Sequence, residues 1–338
     1  MTPLTPLTPL TPLTPPGAPL AVPAGSRWRL VLALIAFVLW AHPSLAGLPC
    51  ALLLLLTPGV EGGERSGWSQ PLAGLIGAMS AALLVVTAGS SSRLAAVTSA
   101  YIVLVSAAFV SVVLLRPEPI LRQALRAMVA GGLATALLIQ AVWGSDAWGA
   151  LAWEATREAS ITMRTIVEIA PDSFAIYEPM VRFVSLTWPG MLALQTLAGL
   201  ALAWQLHLRV ASPALAGAAP PARFKDFYMA DMWVWGIVAW LGVLILPVSG
   251  TLHVAGTNVG LVAGTLYVLR GAAIVATFAE AFGVSAVALV IVAATAAALA
   301  VPLLFVLPGL CTLGITDTWY QYRRRLAAGG PRRRSNTT

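Results

Sequence analysis

The sequence predicts an all-α fold: a polytopic transmembrane helical bundle of eight to ten membrane segments, with one amphipathic interfacial helix. Three observations predict it. Of 338 residues, 59% are hydrophobic and only 10% charged, and the mean hydropathy of +0.85 lies above what soluble globular domains reach. Uncharged intervals recur at 30–60, 66–92, 94–115, 127–145, 183–208, 232–269 and 281–316, each near or above the roughly 20 residues that cross about 30 Å of hydrocarbon. Finally, Gly256, Gly260 and Gly264 fall every fourth residue within the apolar run 255–282. Small residues at that spacing leave a groove along one helical face, where a neighbouring helix can come close without any hydrophobic drive.

Residues 1–26 open with four Thr-Pro-Leu repeats; proline every third residue fixes φ and removes donors, which predicts an extended, disordered tail. A single integral membrane domain then covers 27–322, and a basic, disordered tail is expected over 323–338. Arg27 and Arg29 precede an apolar run that His42-Pro43 interrupts, giving either two short helices or one kinked span over 30–56. A cleaved signal peptide fits poorly, because its product would begin inside another apolar segment.

Spans at 71–88 and 94–115 are joined by the short stretch 89–93, which makes them antiparallel neighbours. A loop at 116–126 carries three arginines and one glutamate, and a further span follows at 127–143 with Gly131-Gly132 as a close-packing point. Residues 144–182 differ, with six carboxylates against three arginines. There Trp148, Leu151, Ala155, Ala159, Thr162, Ile166 and Ile169 recur at helical spacing, which predicts an amphipathic helix at the interface. The chain returns through 183–208, loops at 209–231, spans again from 232 to 248, turns, and enters the glycine-marked helix. The last run, 285–316, holds Pro302 and Pro308-Gly309 and is too long and broken for one straight helix.

Lysine and arginine mark the cytoplasmic side. That rule puts Arg27, Arg29, the 116–126 loop, the 209–231 loop and the arginine-rich tail inside, and the acidic 144–182 segment outside. It also requires an even number of crossings between residue 231 and Arg323, where three apolar blocks stand, so either the proline-broken final run turns back on itself, the preferred reading, or the tail lies outside.

From residue 183 to 325 the order of features resembles the YybS-like family of predicted bacterial multipass membrane proteins of unknown function. The residues carrying the resemblance are Trp188-Pro189-Gly190, Asn258 leading into Tyr267-Val268-Leu269-Arg270-Gly271, Phe278, and the terminal run Leu313-Gly314-Ile315-Thr316-Asp317-Thr318-Trp319-Tyr320-Gln321-Tyr322-Arg323. The family commonly has glutamine where Arg270 stands and basic residues where this chain has Glu280-Ala281-Phe282-Gly283. It is distantly similar to the substrate-binding membrane subunits of energy-coupling-factor vitamin transporters. The resemblance implies residence in the bacterial cytoplasmic membrane and an all-α bundle with a pocket open to the outside.

Three residues are candidates for binding. Arg270 is a guanidinium at membrane depth, which is expensive and therefore paired, snorkelled or set beside a ligand; an anionic headgroup or a substrate carboxylate would suit it, and the economical alternative is snorkelling or pairing with Asp317. Asn258 could bond across helices or contact a ligand, the former being more economical. Asp317 sits among aromatics and arginines, either as a partner-docking handle or as part of an aromatic belt. Glu280 lies on a different face from Arg270 and marks the membrane boundary. His42, His207 and His253 are scattered, and Cys50 and Cys311 lie far apart in apolar runs; neither set predicts a metal site or a disulfide. No catalytic grouping or phosphate-cradling loop occurs, so no enzyme and no cofactor is expected. The sequence therefore predicts a ligand-binding membrane subunit or transporter-like component, or alternatively a structural or regulatory membrane protein docking a cytoplasmic partner. Its expected partners are the lipid bilayer, a small-molecule ligand and a cytoplasmic protein, with no nucleic acid.

Overall fold

The computed structural model describes residues 69–87, 92–115, 120–169, 171–210, 224–246, 250–298 and 303–329. The 1–26 tail, the region 30–56 with His42 and Cys50, the 211–223 part of the loop and the arginines at 332–334 lie outside these residues. Of the described residues 93% are helical and none is in a strand. In order the helices are α1 (Ser69–Thr87), α2 (Arg93–Leu115), α3 (Ile120–Trp143), α4 (Ala147–Ile169), α5 (Tyr177–Val210), α6 (Val234–Ile245), α7 (Gly250–Ala281), α8 (Ala286–Ala298), α9 (Leu303–Tyr320) and α10 (Tyr322–Gly329). Among the described residues four stretches are long and apolar enough to cross a membrane: Arg93–Val112, Ile120–Trp143, Tyr177–Leu202 and Gly250–Ala281. The chain divides into two units, Met1–Ser145 with Thr196–Ala218, and Asp146–Gln195 with Ala219–Thr338.

In the first unit α1, α2 and α3 form an antiparallel meander. Gly77 of α1 admits Ala107 of α2, and Gly131 of α3 admits Val105 of α2, so α2 is sandwiched and buries Ala100, Ile102, Val103, Val105 and Phe109. Arg93 at the start of α2 lies over the Trp143 ring at the end of α3, which fixes the same antiparallel register. The ring of Phe109 meets Trp204 of α5 edge-on. Leu75, Met79, Leu83 and Val86 on α1 and Val129, Leu133 and Leu137 on α3 point outward, exposed. Outward apolar faces at helical spacing are the reverse of a water-soluble helix and are consistent with contact to lipid. Helix α3 begins at Ile120, earlier than the predicted span, so Arg122 and Arg126 stand on its exposed face instead of in a loop.

In the second unit α4 is the amphipathic helix, but its buried stripe is Ala147, Leu151, Ala155, Ala159 and Met163. The predicted stripe shares three of these residues; Trp148, Thr162, Ile166 and Ile169 are exposed instead. Small side chains at steps of four let α4 lie close to the start of α5, where Ala159 and Met163 pack on Val181, Tyr177 and Val184. The large residues are then left on the outer face.

Helix α6 packs antiparallel on α7. The final apolar run holds two helices, α8 and α9, with Pro308 inside α9, and α10 makes the start of the tail helical where disorder was expected. Gly271 of α7 lies against Leu310 of α9 and Gly314 of α9 against Tyr267 of α7, so the two helices pack antiparallel, while Glu280 and Arg323 both reach Lys225. Gly283 (φ +80) stops α7; Val284 N–H donates to Ala279 C=O at 2.8 Å, the left-handed glycine cap that ends many helices.

Candidate functional site

Three sets of contacts between helices build the second unit. The first is apolar. Val243 of α6 fills the space above Gly256, and the Trp240 indole lies on Gly260. Gly264 departs from the predicted groove: a Cβ there meets nothing within 4 Å. The reason is register, since one further turn along the antiparallel pair places Gly236 opposite Gly264, and glycine offers no side chain to fill the gap. The closest backbone approach is elsewhere, where α7 crosses α9. A Cβ on Gly271 would overlap the Leu310 carbonyl, and one on Gly314 the Tyr267 carbonyl.

The second set centres on Asn258. In an unbroken helix the Gly190 N–H donates to the Leu186 C=O. Pro189, inside α5, supplies no N–H and crowds the preceding turn, which weakens the helix there. Asn258 of α7 partners both members of that rung: its Oδ1 accepts from Gly190 N–H at 2.6 Å and its Nδ2 donates to Leu186 C=O at 2.9 Å. The same Nδ2 donates to Val254 C=O. A carboxamide is the side chain that can accept and donate at once, and a Cβ at position 190 would stand 2.8 Å from Asn258 Oδ1. Asn258 thus bonds across helices, the economical alternative of the sequence analysis.

The third set is charged. Arg270 is 1% exposed and Asp317 4%. Arg270 Nε and Nη2 both donate to Asp317 Oδ2, at 3.2 and 3.1 Å; Nη2 also donates to Asp231 Oδ1 at 3.1 Å. Its Nη1 donates to Met229 C=O at 3.2 Å and to Thr318 Oγ1 at 3.4 Å. These acceptors match the five N–H groups of a guanidinium, and the Tyr228 ring lies 5.4 Å from its central carbon. A buried arginine in this setting is stabilised only because its donors are matched and two carboxylates offset its charge. What Arg270 offers a ligand is charge and a wall rather than a free donor.

Asp317 does two jobs. Its Oδ2 faces Arg270 and, at 3.6 Å, Arg323 Nη2; its Oδ1 accepts the Tyr322 N–H at 3.0 Å. That second bond caps α10 immediately after Gln321, which holds the left-handed conformation at φ +49. An aspartate at a helix start supplies such a cap readily, and here it fixes where Arg323 points.

Around this network lies a cavity of about 310 Å³, lined by Asp226, Tyr228, Asp231, Arg270, Asp317, Gln321, Arg323 and Arg324. It gathers side chains from the stretch before α6, from α7, and from the α9–α10 junction. Lys225 and Glu280 pair beside it at 2.7 Å, so Glu280 has a partner from the loop as well as a boundary position. Sequence reasoning found Arg270 and Asp317 but not Asp231, Tyr228 or Arg323 as members of one site. Among the described residues no three His, Cys, Asp or Glu side chains are placed to hold a metal ion. His253 is half-buried on α7 and Cys311 half-buried on α9.

Comparison with protein-family models, with curated proteins and with solved structures finds no match to this chain.

Proposed function

We propose that the chain is a multipass membrane protein of a bacterial cytoplasmic membrane, with eight to ten membrane segments, that binds a small ligand at one end of its second unit. What carries the reading is the 310 Å³ cavity walled by charged side chains of both signs drawn from three separated chain segments. A pocket with a few convergent polar groups is the default place for a ligand. With no phosphate-cradling loop in its sequence, the chain would serve as a binding subunit or transporter-like component whose energy comes from a partner or a gradient. The cavity shares its end with Lys225 and Arg323 to Arg325, the cytoplasmic end by the arginine rule. We therefore propose a cytoplasm-facing site, in contrast to the outward pocket that the YybS-like resemblance implies.

The test is thermal unfolding of the purified chain in detergent against a broad panel of metabolites. A ligand at about 100 times its Kd adds about 2.7 kcal/mol to apparent stability, so a stabilising compound should emerge, and Asp231→Asn should weaken its effect. A panel without any shift overturns the reading. The second reading is a regulatory protein docking a cytoplasmic partner through the tail. It is favoured by Trp319, 63% exposed just before the basic helix α10, and by Arg324 and Arg325, exposed on it.

A further inference from the structure

The charges that line the cavity specify more than that a ligand binds. Arg270 and Asp317 are occupied by each other and by Met229, Asp231, Thr318 and Tyr322, as described above. Arg323 is not. Its Nη1 donates to the Lys225 carbonyl at 2.9 Å, but its Nη2 is buried without a hydrogen-bond acceptor, and its nearest carboxylate oxygen is 3.6 Å away and already shared with Arg270. A buried guanidinium N–H without an acceptor carries a desolvation penalty that nothing returns, and an anionic oxygen is the acceptor that returns most. Arg324, exposed beside it, brings a second guanidinium to the same wall. Asp226 and Asp231 stand exposed in the lining as well, with the Tyr228 hydroxyl 3.4 Å from Asp231.

Signs then decide the ligand class. A simple anion drawn to Arg323 would enter a cavity that also holds three carboxylates. A simple cation drawn to the aspartates would meet three arginines. A molecule carrying both charges, separated by a short linker, meets a complement for each. Resting on the ligand-binding reading above, we propose that this cavity takes a zwitterion: a phosphate or carboxylate oxygen on Arg323 and Arg324, and a protonated amine toward Asp226 and Asp231. The surroundings place it at headgroup level. Trp233 and Trp235 at the start of α6 and Trp319 and Tyr320 at the end of α9 are exposed at this same end of the helices, where aromatic side chains mark the water–lipid boundary. An aminophosphate group could therefore reach the cavity from a phospholipid headgroup or as a free molecule.

The experiment uses the full chain in detergent, with phosphoethanolamine, inorganic phosphate and ethanolamine as probes in thermal unfolding and titration. Phosphoethanolamine should bind at least about tenfold more tightly than either half-molecule, and Asp226→Asn and Arg324→Gln, both on exposed side chains, should each remove about tenfold of that affinity. Two membrane arms separate the sources. If the headgroup is the ligand, nanodiscs of phosphatidylethanolamine stabilise the protein over nanodiscs of phosphatidylglycerol and the soluble probe adds nothing to the former; if it is a free molecule, the probe stabilises both equally. Inorganic phosphate binding as tightly as phosphoethanolamine would overturn the zwitterion while leaving the ligand-binding reading intact. Absence of any shift from these probes and from the broad metabolite panel removes both.

Discussion

The first unit is held by shape and the second by polar groups set between helices. In the first, α2 fits into α1 and α3 because Gly77 and Gly131 make room for Ala107 and Val105, and the buried surface around Phe109 is mostly apolar, with Ser80, Ser106, Gln123 and Thr135 as its uncharged polar members. In the second, Asn258 partners the turn of α5 at Pro189 and Arg270 joins the stretch before α6 to α9. Hydrocarbon provides little drive for helix association, so both solutions serve. They fail differently, however. A packed groove degrades by degrees, whereas a buried ion loses its compensation at once.

The largest effect should come from breaking that compensation. Arg270→Met keeps an unbranched side chain but leaves Asp317 buried with the Tyr322 N–H and, at 3.6 Å, Arg323 as its remaining partners; removing one partner of a buried pair costs about 3–5 kcal/mol. Thermal unfolding in detergent measures it. Adding Asp317→Asn to the same chain should recover part of the loss, because the uncompensated carboxylate is then gone. A double variant as unstable as the sum of the two singles would show that the ions act independently, and the contrast between the units would lose its basis.

A smaller effect sharpens the contrast from the other side, because the second unit also contains a close approach governed by shape. Gly271→Ala places a methyl group against the Leu310 carbonyl, and Gly131→Ala in the first unit places one against the Val105 backbone. Overpacking of this kind costs about 1–3 kcal/mol, and both variants should fall in that range. Gly264→Ala is the control: with nothing within 4 Å of its Cβ, it should stay within about 0.5 kcal/mol of the parent. A Gly264→Ala variant as damaged as Gly271→Ala would restore the predicted three-glycine groove and refute the register that sets Gly236 opposite it.

How much of this was legible in the sequence follows the same division. Period and composition reveal helices, so α2, α3, α5 and α7 were readable, as was the broken final run. The glycine spacing identified Gly256 and Gly260 but misjudged Gly264, because spacing describes one face and says nothing of what stands opposite. Gly271 and Gly314 were visible as residues yet unreadable as a crossing, since the pair meets only once α9 folds back along α7. Arg270 and Asp317 were found because a charge in an apolar run is conspicuous. Asp231, Tyr228 and Arg323 were hidden for the opposite reason: polar residues in polar stretches look ordinary until a fold brings them beside a buried arginine.

The smallest effect concerns Asn258, and it tests whether a polar group between helices acts by holding a turn open. Asn258→Ala deprives the Gly190 N–H and the Leu186 C=O of their shared partner. Hydrogen bonds between membrane helices average about 0.6 kcal/mol, with a ceiling of about 1.7, and the cost here should lie low in that range because the two backbone groups can turn back to each other. The stability change alone would not distinguish this bond from any other. Hydrogen exchange does, since the Gly190 amide should exchange faster in the variant while amides in α2, around Val103, keep their protection. Equal protection at Gly190 in both proteins would mean that α5 closes its own turn at Pro189, and that Asn258 only decorates a kink that stands without it.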